Sequence, residues 1–163
     1  MIRVWEGQGS GENLKIGIIV ARWNPSVTES LLKGAIDTLR LQGVKDEAID
    51  IVKVPGCFEV PWAAQMLVEK QPFDAIICLG AVIKGETSHH LYIAQEVSRG
   101  IHEVARDFGI PIGFGILTTD TFEQALARAG EKIGGKGGNK GSEAAAAAVE
   151  MALLYQRWTS EAE

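Results

Sequence analysis

The sequence predicts a three-layer α/β/α fold, in which a flavodoxin-like, four-stranded parallel sheet lies between helices. Four short apolar segments alternate with helical patterns along the 163 residues. Three of these segments are apolar almost throughout, as expected for parallel strands covered on both faces. Strand–helix alternation favours a parallel sheet joined by right-handed crossovers. No internal repeat or linker divides the chain, so we expect a single domain over residues 1–163.

The strands are expected at residues 15–21, 49–54, 75–81 and 111–117, where β-branched and aliphatic residues follow one another. Apolar residues at three- and four-residue steps predict the helices. The first helix contains Val27, Leu31, Ala35 and Leu39, and later helices cover 60–70, 89–108 and 142–158. Residues 1–13 fit no strand–helix unit and are expected to form an edge strand or an arm onto a partner subunit.

Two helix starts carry the spacing of a capping box. Ser26 is followed three residues later by Glu29, and Asp120 is followed by Glu123. In such a box the two side chains bond to backbone N–H groups at the helix start. The sequence therefore predicts caps for the first helix and for a short fourth helix that runs to Gly130.

Composition limits the classes of function. Hydrophobic residues make up 46% of the chain and charged residues 23%, the profile of a globular protein. The net charge of -5 argues against a dedicated nucleic-acid binder. No apolar run reaches membrane-spanning length, and the start lacks a signal-peptide layout. Cys57 and Cys78 form neither a disulfide framework nor a CxxC zinc pattern, so we expect a reducing cytoplasm.

A ligand site is expected at the carboxyl ends of the first and third strands, where the strand order reverses. Residues 76–90 read as a buried strand, a turn of glycine and hydroxyl residues, and a helix that starts near His89 and His90. Helix starts bind phosphate, and histidine moves protons near neutral pH. The stretch indicates an enzyme acting on a small phosphorylated molecule. A plain strand–helix connection with two surface histidines explains it equally well.

Several residues in the loops have a structural explanation as well as a functional one. Trp23 could stack on a planar ring, or it could only cover the end of the first helix. Glu59 and Arg128 stand where their charges would in any case complement helix dipoles. Each of these residues taken alone favours the structural explanation.

The cysteines and one glycine-rich segment raise further chemistries. Cys57 could form a nucleophile pair with a histidine, whereas Cys78 is expected in the core. The segment 130–142 lacks both the preceding strand and the Gly-Lys-Ser/Thr ending of a phosphate loop. We expect it to be a flexible, basic linker before the last helix.

Six stretches in fixed order between residues 14 and 154 carry a family resemblance. They are residues 21–24, 54–61, 80–87, 114–118, 123–130 and 139–141. The set resembles the 6,7-dimethyl-8-ribityllumazine synthase family, which catalyses the penultimate step of riboflavin biosynthesis. The resemblance implies that 5-amino-6-(D-ribitylamino)uracil condenses with 3,4-dihydroxy-2-butanone 4-phosphate, with loss of phosphate and water. It implies a reaction without a metal or a cofactor.

The resemblance also implies roles for individual residues. His89 corresponds to the proton-transfer histidine, and Glu143 to the carboxylate that would orient it. Phosphate binding is implied for Gly85, Glu86, Thr87 and Arg128. Binding of the organic parts of the substrates is implied for Trp23, Asn24, Gly56, Cys57, Phe58, Glu59, Val82, Ile83, Lys84, Phe114 and Lys140. Of all these, Phe114, Arg128 and Lys140 would come from a neighbouring subunit.

A homo-oligomer is implied, either a pentamer or a sixty-subunit shell of pentamers, with riboflavin synthase as a candidate partner and no nucleic acid or membrane. The linker before Asn139 is longer than in many members, which favours the pentamer. The family usually has Pro-His-Phe after the threonine, whereas this chain has Ser88-His89-His90, so the role of His90 is open. A non-catalytic flavin or lumazine carrier and a protein that mainly forms a shell are the alternatives.

Overall fold

The computed structural model describes residues 1–131 and 138–161. Strands and helices alternate along the described chain, as the sequence predicts. The strands are β1 (Ile16–Ala21), β2 (Ile49–Val54), β3 (Ala75–Ile83) and β4 (Ile112–Thr119). The α-helices are α1 (Pro25–Leu41), α2 (Val60–Lys70), α3 (His89–Phe108), α4 (Phe122–Arg128) and α5 (Lys140–Ser160).

The four strands form one parallel sheet in the order β2-β1-β3-β4. The strand order reverses between β1 and β3, which confirms the predicted flavodoxin-like arrangement and its switch point. Ile16 of β1 pairs with both Ile49 of β2 and Ala75 of β3, so these strands start level with one another. Their carboxyl ends therefore reach the same edge of the sheet.

Apolar residues on the two faces of the sheet form two separate core clusters. Ile18 and Ile19 are adjacent in β1 and fully buried, yet they belong to different clusters because strand side chains alternate between faces. The Ile18 cluster joins the sheet to α1 and α5 through residues such as Leu31. The Ile19 cluster joins it to α2 and α3 through residues such as Val60 and Val97. The predicted three layers are confirmed.

Helices α1 and α5 approach each other closely because small residues line their contact. A Cβ atom added at Gly141 would overlap the carbonyl group of Leu31. Further along α5, Ala144, Ala145 and Ala148 are buried against the sheet and α1. Alanine and glycine keep the two backbones close, which positions the start of α5 beside the middle of α1.

Both predicted caps are wrong by position. The residue before α1 is Asn24, which has a left-handed φ of 61° and makes no side-chain cap bond, and Ser26 lies inside the helix. Pro25 explains the early start, because its fixed φ suits the first turn and its missing N–H costs nothing there. In α4 the cap is Thr121 rather than Asp120, since Thr121 Oγ1 accepts a 3.1 Å bond from the Gln124 N–H.

Two strands extend two residues beyond their predicted ends because their pairing continues. Val82 of β3 pairs with Thr118 of β4, and Ile83 pairs with Thr119. Thr118 and Thr119 are polar, so they did not belong to the apolar segments from which the strands were predicted. The extension carries both strands closer to the loops expected to bind the ligand.

The first 13 residues form no strand in the subunit. A Cβ atom added at Gly7 would overlap the Glu150 carbonyl of α5, and the Trp5 ring lies 4.9 Å from Cζ of Arg157. Residues 5–7 therefore lie against α5 of their own subunit, whereas the Gly11 N–H donates to the Gln42 carbonyl at the end of α1. Residues 132–137 of the predicted linker lie outside the described residues. Within the described ranges, no helix is both long enough and apolar enough to cross a membrane.

Candidate active site

Backbone hydrogen bonds hold the loops after β1 and β2 together. The Arg22 N–H donates to the Val54 carbonyl at 2.8 Å, and the Trp23 N–H donates to the Pro55 carbonyl at 3.1 Å. These bonds continue the β1–β2 pairing beyond the strand ends. They fix the backbone of Trp23 directly beside the turn that follows β2.

The indole of Trp23 packs against that turn. A Cβ atom added at Gly56 would lie 2.5 Å from the indole ring, so only glycine lets the ring approach this closely. The Glu59 carboxylate accepts a 3.0 Å hydrogen bond from the Gly56 N–H and closes the turn. Trp23 is nevertheless 65% exposed. The indole therefore rests on the loop rather than in the core, and it can take part in stacking.

A cavity of about 280 Å³ opens at the switch point between β1 and β3. Nine of the predicted site residues line it: Trp23, Asn24, Cys57, Phe58, Val82, Ile83, Gly85, Thr87 and His89. Four further residues complete the lining: Ala21, Ala81, His90 and Ile93. Residues from three strand-end loops and the start of α3 therefore converge on one space. Gly56, Glu59, Lys84 and Glu86 are not among the lining residues.

The loop from β3 to α3 forms an exposed rim of the cavity. The Lys84 N–H is paired with the Thr119 carbonyl at 2.9 Å, whereas Gly85 has no neighbouring atom within 4 Å of the position of an added Cβ. Helix α3 begins at His89, and Ser88 before it makes no side-chain cap bond. The first N–H groups of a helix lack partners inside it and carry partial positive charge. The rim therefore suits a phosphate group.

The two adjacent histidines lie at different depths. His89 is exposed, whereas His90 is only 9% exposed and its buried Nδ1 has no hydrogen-bond partner among the described residues. His90 lies three and seven residues before Ile93 and Val97, which face inward on α3. That helical spacing was available in the sequence and would have placed His90 at the cavity.

Both cysteines are buried, and their environment argues against thiol chemistry. Burial raises the pKa of the Cys57 thiol to about 12; a backbone hydrogen bond at Ala81 opposes this rise, and the Glu59 charge adds to it. A thiol with that pKa is a thiolate in only about one molecule in 10⁵ at pH 7, and the thiolate is the nucleophile. Cys78 is fully buried, which confirms its predicted place in the core, and burial raises its pKa as well.

Three predicted site residues line a different cavity. Phe114, Arg128 and Lys140 border a space of about 230 Å³ along β4, together with Thr118 and Thr119. No residue is shared between this cavity and the one at the switch point. Because β4 is the outer strand of the sheet, the second cavity lies at the side of the subunit.

The charged residues of the second cavity differ in their pairing. Arg128 is exposed at the end of α4 and makes no ion pair with any described residue. Lys140 Nζ lies 2.6 Å from Glu143 Oε2, so Glu143 is paired with Lys140 in this subunit and is not at the cavity that His89 lines. In the part of the chain that the structure describes, no three His, Cys, Asp or Glu side chains form a metal-binding group.

A cavity at the switch point, with an exposed indole, a helix start and a histidine at its rim, suits a planar ring and a phosphorylated molecule. The family model for 6,7-dimethyl-8-ribityllumazine synthase matches residues 13–156. The matched range runs from just before β1 into α5 and contains every residue of both cavities. The chain therefore belongs to the 6,7-dimethyl-8-ribityllumazine synthase family.

Proposed function

We propose that the cavity at the switch point, completed by a neighbouring subunit, is where this chain carries out the reaction of its family. That reaction condenses 5-amino-6-(D-ribitylamino)uracil with 3,4-dihydroxy-2-butanone 4-phosphate to give 6,7-dimethyl-8-ribityllumazine, phosphate and water. The observation that carries the proposal is the convergence of three strand-end loops and the start of α3 on one space. Each of these elements supplies a different kind of group.

The uracil substrate stacks on Trp23, whose indole is exposed and supported from behind by Gly56. Asn24, Phe58, Val82 and Ile83 enclose the ring. The ribityl chain lies along the turn from Gly56 to Glu59, with Cys57 contributing its backbone. Lys84 is exposed at the adjoining rim and contributes to binding from there.

The phosphate of the second substrate lies at the loop before α3. Gly85, Glu86 and Thr87 donate backbone N–H groups to it, and Thr87 also its hydroxyl. These residues are exposed, so the phosphate can reach them from solvent. The partial positive charge at the start of α3 favours the dianion there. Binding of both substrates in one cavity removes much of the entropic cost of a two-molecule reaction.

His89 moves the protons of the reaction. The amine of the uracil substrate attacks the ketone carbonyl, and an imine forms with loss of water. Phosphate then leaves, and the ring closes with loss of a second water. Each step transfers protons, and His89 lines the same cavity as Trp23, Gly85 and Thr87. A group in this role contributes about 10²–10⁴-fold in rate, so its loss slows the reaction without abolishing it.

A neighbouring subunit supplies Phe114, Arg128 and Lys140. Two observations support this arrangement: these residues border a separate cavity at the side of the subunit, and Arg128 has no ion-pair partner among the described residues. The guanidinium of Arg128 can bind two phosphate oxygens at once. Glu143, beside Lys140, would reach His89 of the adjacent subunit. Head-to-tail contacts of this kind close into rings, and a pentamer is the ring we propose.

Mixed oligomers of two impaired variants test the shared site. The variants His89→Ala and Arg128→Ala each carry one defect, and they are mixed, dissociated and reassembled. In a randomly mixed ring, about one quarter of the interfaces combine an intact His89 with an intact Arg128 from the neighbour. We therefore expect roughly a quarter of wild-type turnover, measured optically as lumazine formation.

Each variant taken separately through the same dissociation and reassembly is the control, and it should stay at its own low rate. Failure of the mixture to exceed the separate variants, while wild type regains full activity, would refute the shared site. Absence of turnover in the wild-type protein would instead refute the assignment of catalysis to this chain. A carrier of lumazine or flavin would show binding without turnover.

A further inference from the structure

The cavity at the switch point is lined by a nearly buried imidazole that the reaction described above does not use. His90 lines this cavity, is 9% exposed, and its Nδ1 is buried without a hydrogen-bond partner among the described residues. We propose that His90 positions the uracil substrate through a hydrogen bond from a ring nitrogen. The inference rests on the proposed function, because it places that substrate in this cavity.

The helical position of His90 explains why it faces inward. Ile93 lines the same cavity, and Val97 is fully buried one turn further on, so His90 occupies the next place on that inward face. His89 lies about 100° further round the helix and is exposed. The two imidazoles therefore reach the cavity at different depths, with His89 at the rim and His90 inside.

Few of the residues that line the cavity with His90 can form strong hydrogen bonds from the strand ends. The lining residues at the strand ends are Ala21, Ala81, Val82 and Ile83, whose side chains are all apolar. The buried Cys57 thiol is a weak hydrogen-bonding group. A hydrogen bond made in such shielded surroundings is electrostatically stronger than one in water.

The buried Nδ1 of His90 calls for a partner that none of the residues described in this subunit supplies. Buried polar groups nearly always have a hydrogen-bond partner, and a phenylalanine of similar size would fill the same space without an unpaired atom. The uracil ring carries both carbonyl acceptors and N–H donors, so it can pair with either tautomer of a neutral histidine. Rotation about the Cβ–Cγ bond lets the imidazole present either edge to the ligand. Once the imidazole has rotated in this way, the bound substrate supplies the missing partner.

Steady-state kinetics of His90→Phe test the assignment. The variant keeps a planar ring but loses both nitrogens, so we expect KM for the uracil substrate to rise about tenfold. The KM for the butanone phosphate and kcat should stay within about twofold, because the phosphate loop and His89 are untouched. His90→Gln retains a donor and an acceptor and should recover part of the affinity. His89→Ala, run in parallel, should show the opposite pattern, with lowered kcat.

A second measurement separates substrate positioning from a structural role. The chain has only three histidines, so ¹⁵N-histidine labelling gives a simple spectrum, and His90→Phe identifies the His90 signals. Binding of the lumazine product to wild type should shift a His90 ring-nitrogen resonance. Thermal unfolding of the ligand-free His90→Phe protein should occur at or above the wild-type temperature, because the variant removes a buried nitrogen that no described residue pairs with.

The assignment is overturned if the uracil KM of His90→Phe stays within twofold of wild type, or if the His90 resonances do not respond to the product. It is also overturned if His90→Phe unfolds well below wild type without ligand, since His90 would then have a structural partner. Turnover by the wild-type protein keeps these outcomes distinct from failure of the proposed function.

Discussion

Truncation of Asn139 should destabilise the subunit more than the loss of an ordinary helix cap. Its Nδ2 donates to the Ser30 carbonyl of α1 at 2.9 Å and to the Ala129 carbonyl after α4 at 2.8 Å. Its Oδ1 accepts from the Ser142 N–H at 3.1 Å and caps α5. One half-buried amide therefore joins three helices, and it does so at the start of the helix that carries Lys140.

The expected loss follows from the three bonds. Removal of an N-cap side chain costs about 1 kcal/mol, and each of the two donated hydrogen bonds contributes about 1 kcal/mol net. Asn139→Ala should therefore lower the free energy of unfolding by about 3 kcal/mol. For a chain of this length, about 1 kcal/mol corresponds to a shift of 2–4 °C in the melting temperature. We expect a decrease of roughly 6–12 °C.

The assay is thermal unfolding at one fixed subunit concentration, because association stabilises an oligomer by mass action. Asn139→Asp keeps the acceptor that caps α5 but loses both donated bonds, so its melting temperature should lie below wild type. Thr121→Ala removes only the cap of α4 and should cost about 1 kcal/mol. An Asn139→Ala protein that melts within 2 °C of wild type, or no lower than Thr121→Ala, would refute the reasoning.

Three further predictions concern the cavity and the helix contact. Cys57→Ser should retain wild-type turnover within about threefold, because the thiol takes no part in the reaction. In the wild-type protein, alkylation of Cys57 at pH 8 should be roughly 1,000-fold slower than that of free cysteine and should accelerate with pH, because the pKa of this thiol is raised to about 12. Trp23→Ala should raise KM for the uracil substrate about tenfold with little change in melting temperature, whereas the KM of Trp23→Phe should remain close to that of wild type. A Trp23→Ala protein with the same KM as wild type would exclude stacking. Gly141→Ala should lower the free energy of unfolding by about 1–3 kcal/mol, since the added methyl group meets the Leu31 carbonyl. Unchanged stability in thermal unfolding would show that α5 can move away from α1.

Local sequence patterns predicted most of the fold because they follow the same physics as the structure. The bounds of β2, α2 and α3 agree with the expected ones to the residue. The ends of β3 and β4 were less predictable, because Thr118 and Thr119 belong to a strand only through pairing with a partner distant in sequence. The start of α1 depends on the left-handed backbone conformation of Asn24, and no residue pattern before Pro25 predicted that conformation.

The position of the candidate site could be predicted from the rule that parallel sheets bind ligands where the strand order reverses. Parallel strands that start level bring their following loops to one edge, so the meeting of Trp23, Cys57 and Thr87 follows from the strand order. Depth within the cavity follows from helical phase, which distinguishes His89 from His90. The 2.6 Å contact between Lys140 and Glu143 required the structure, because spacing permits such a pair but does not fix it.

The close packing of Trp23 on Gly56 has a consequence for how this cavity could evolve. A methyl group at residue 56 would push the indole away, and a Cβ atom added at Gly80 would lie 2.5 Å from the Cys57 sulfur. Trp23 and Cys57, two of the lining residues, therefore each pack against a glycine that cannot be replaced without moving the lining side chain. Phe58 also lines the cavity and is 60% exposed, so it can be replaced with little effect on its neighbours. Selection for a substrate with a larger or differently shaped ring can therefore act most easily through Phe58. We therefore expect the range of substrates to change through exposed lining residues such as Phe58, while Gly56 and Gly80 stay constant.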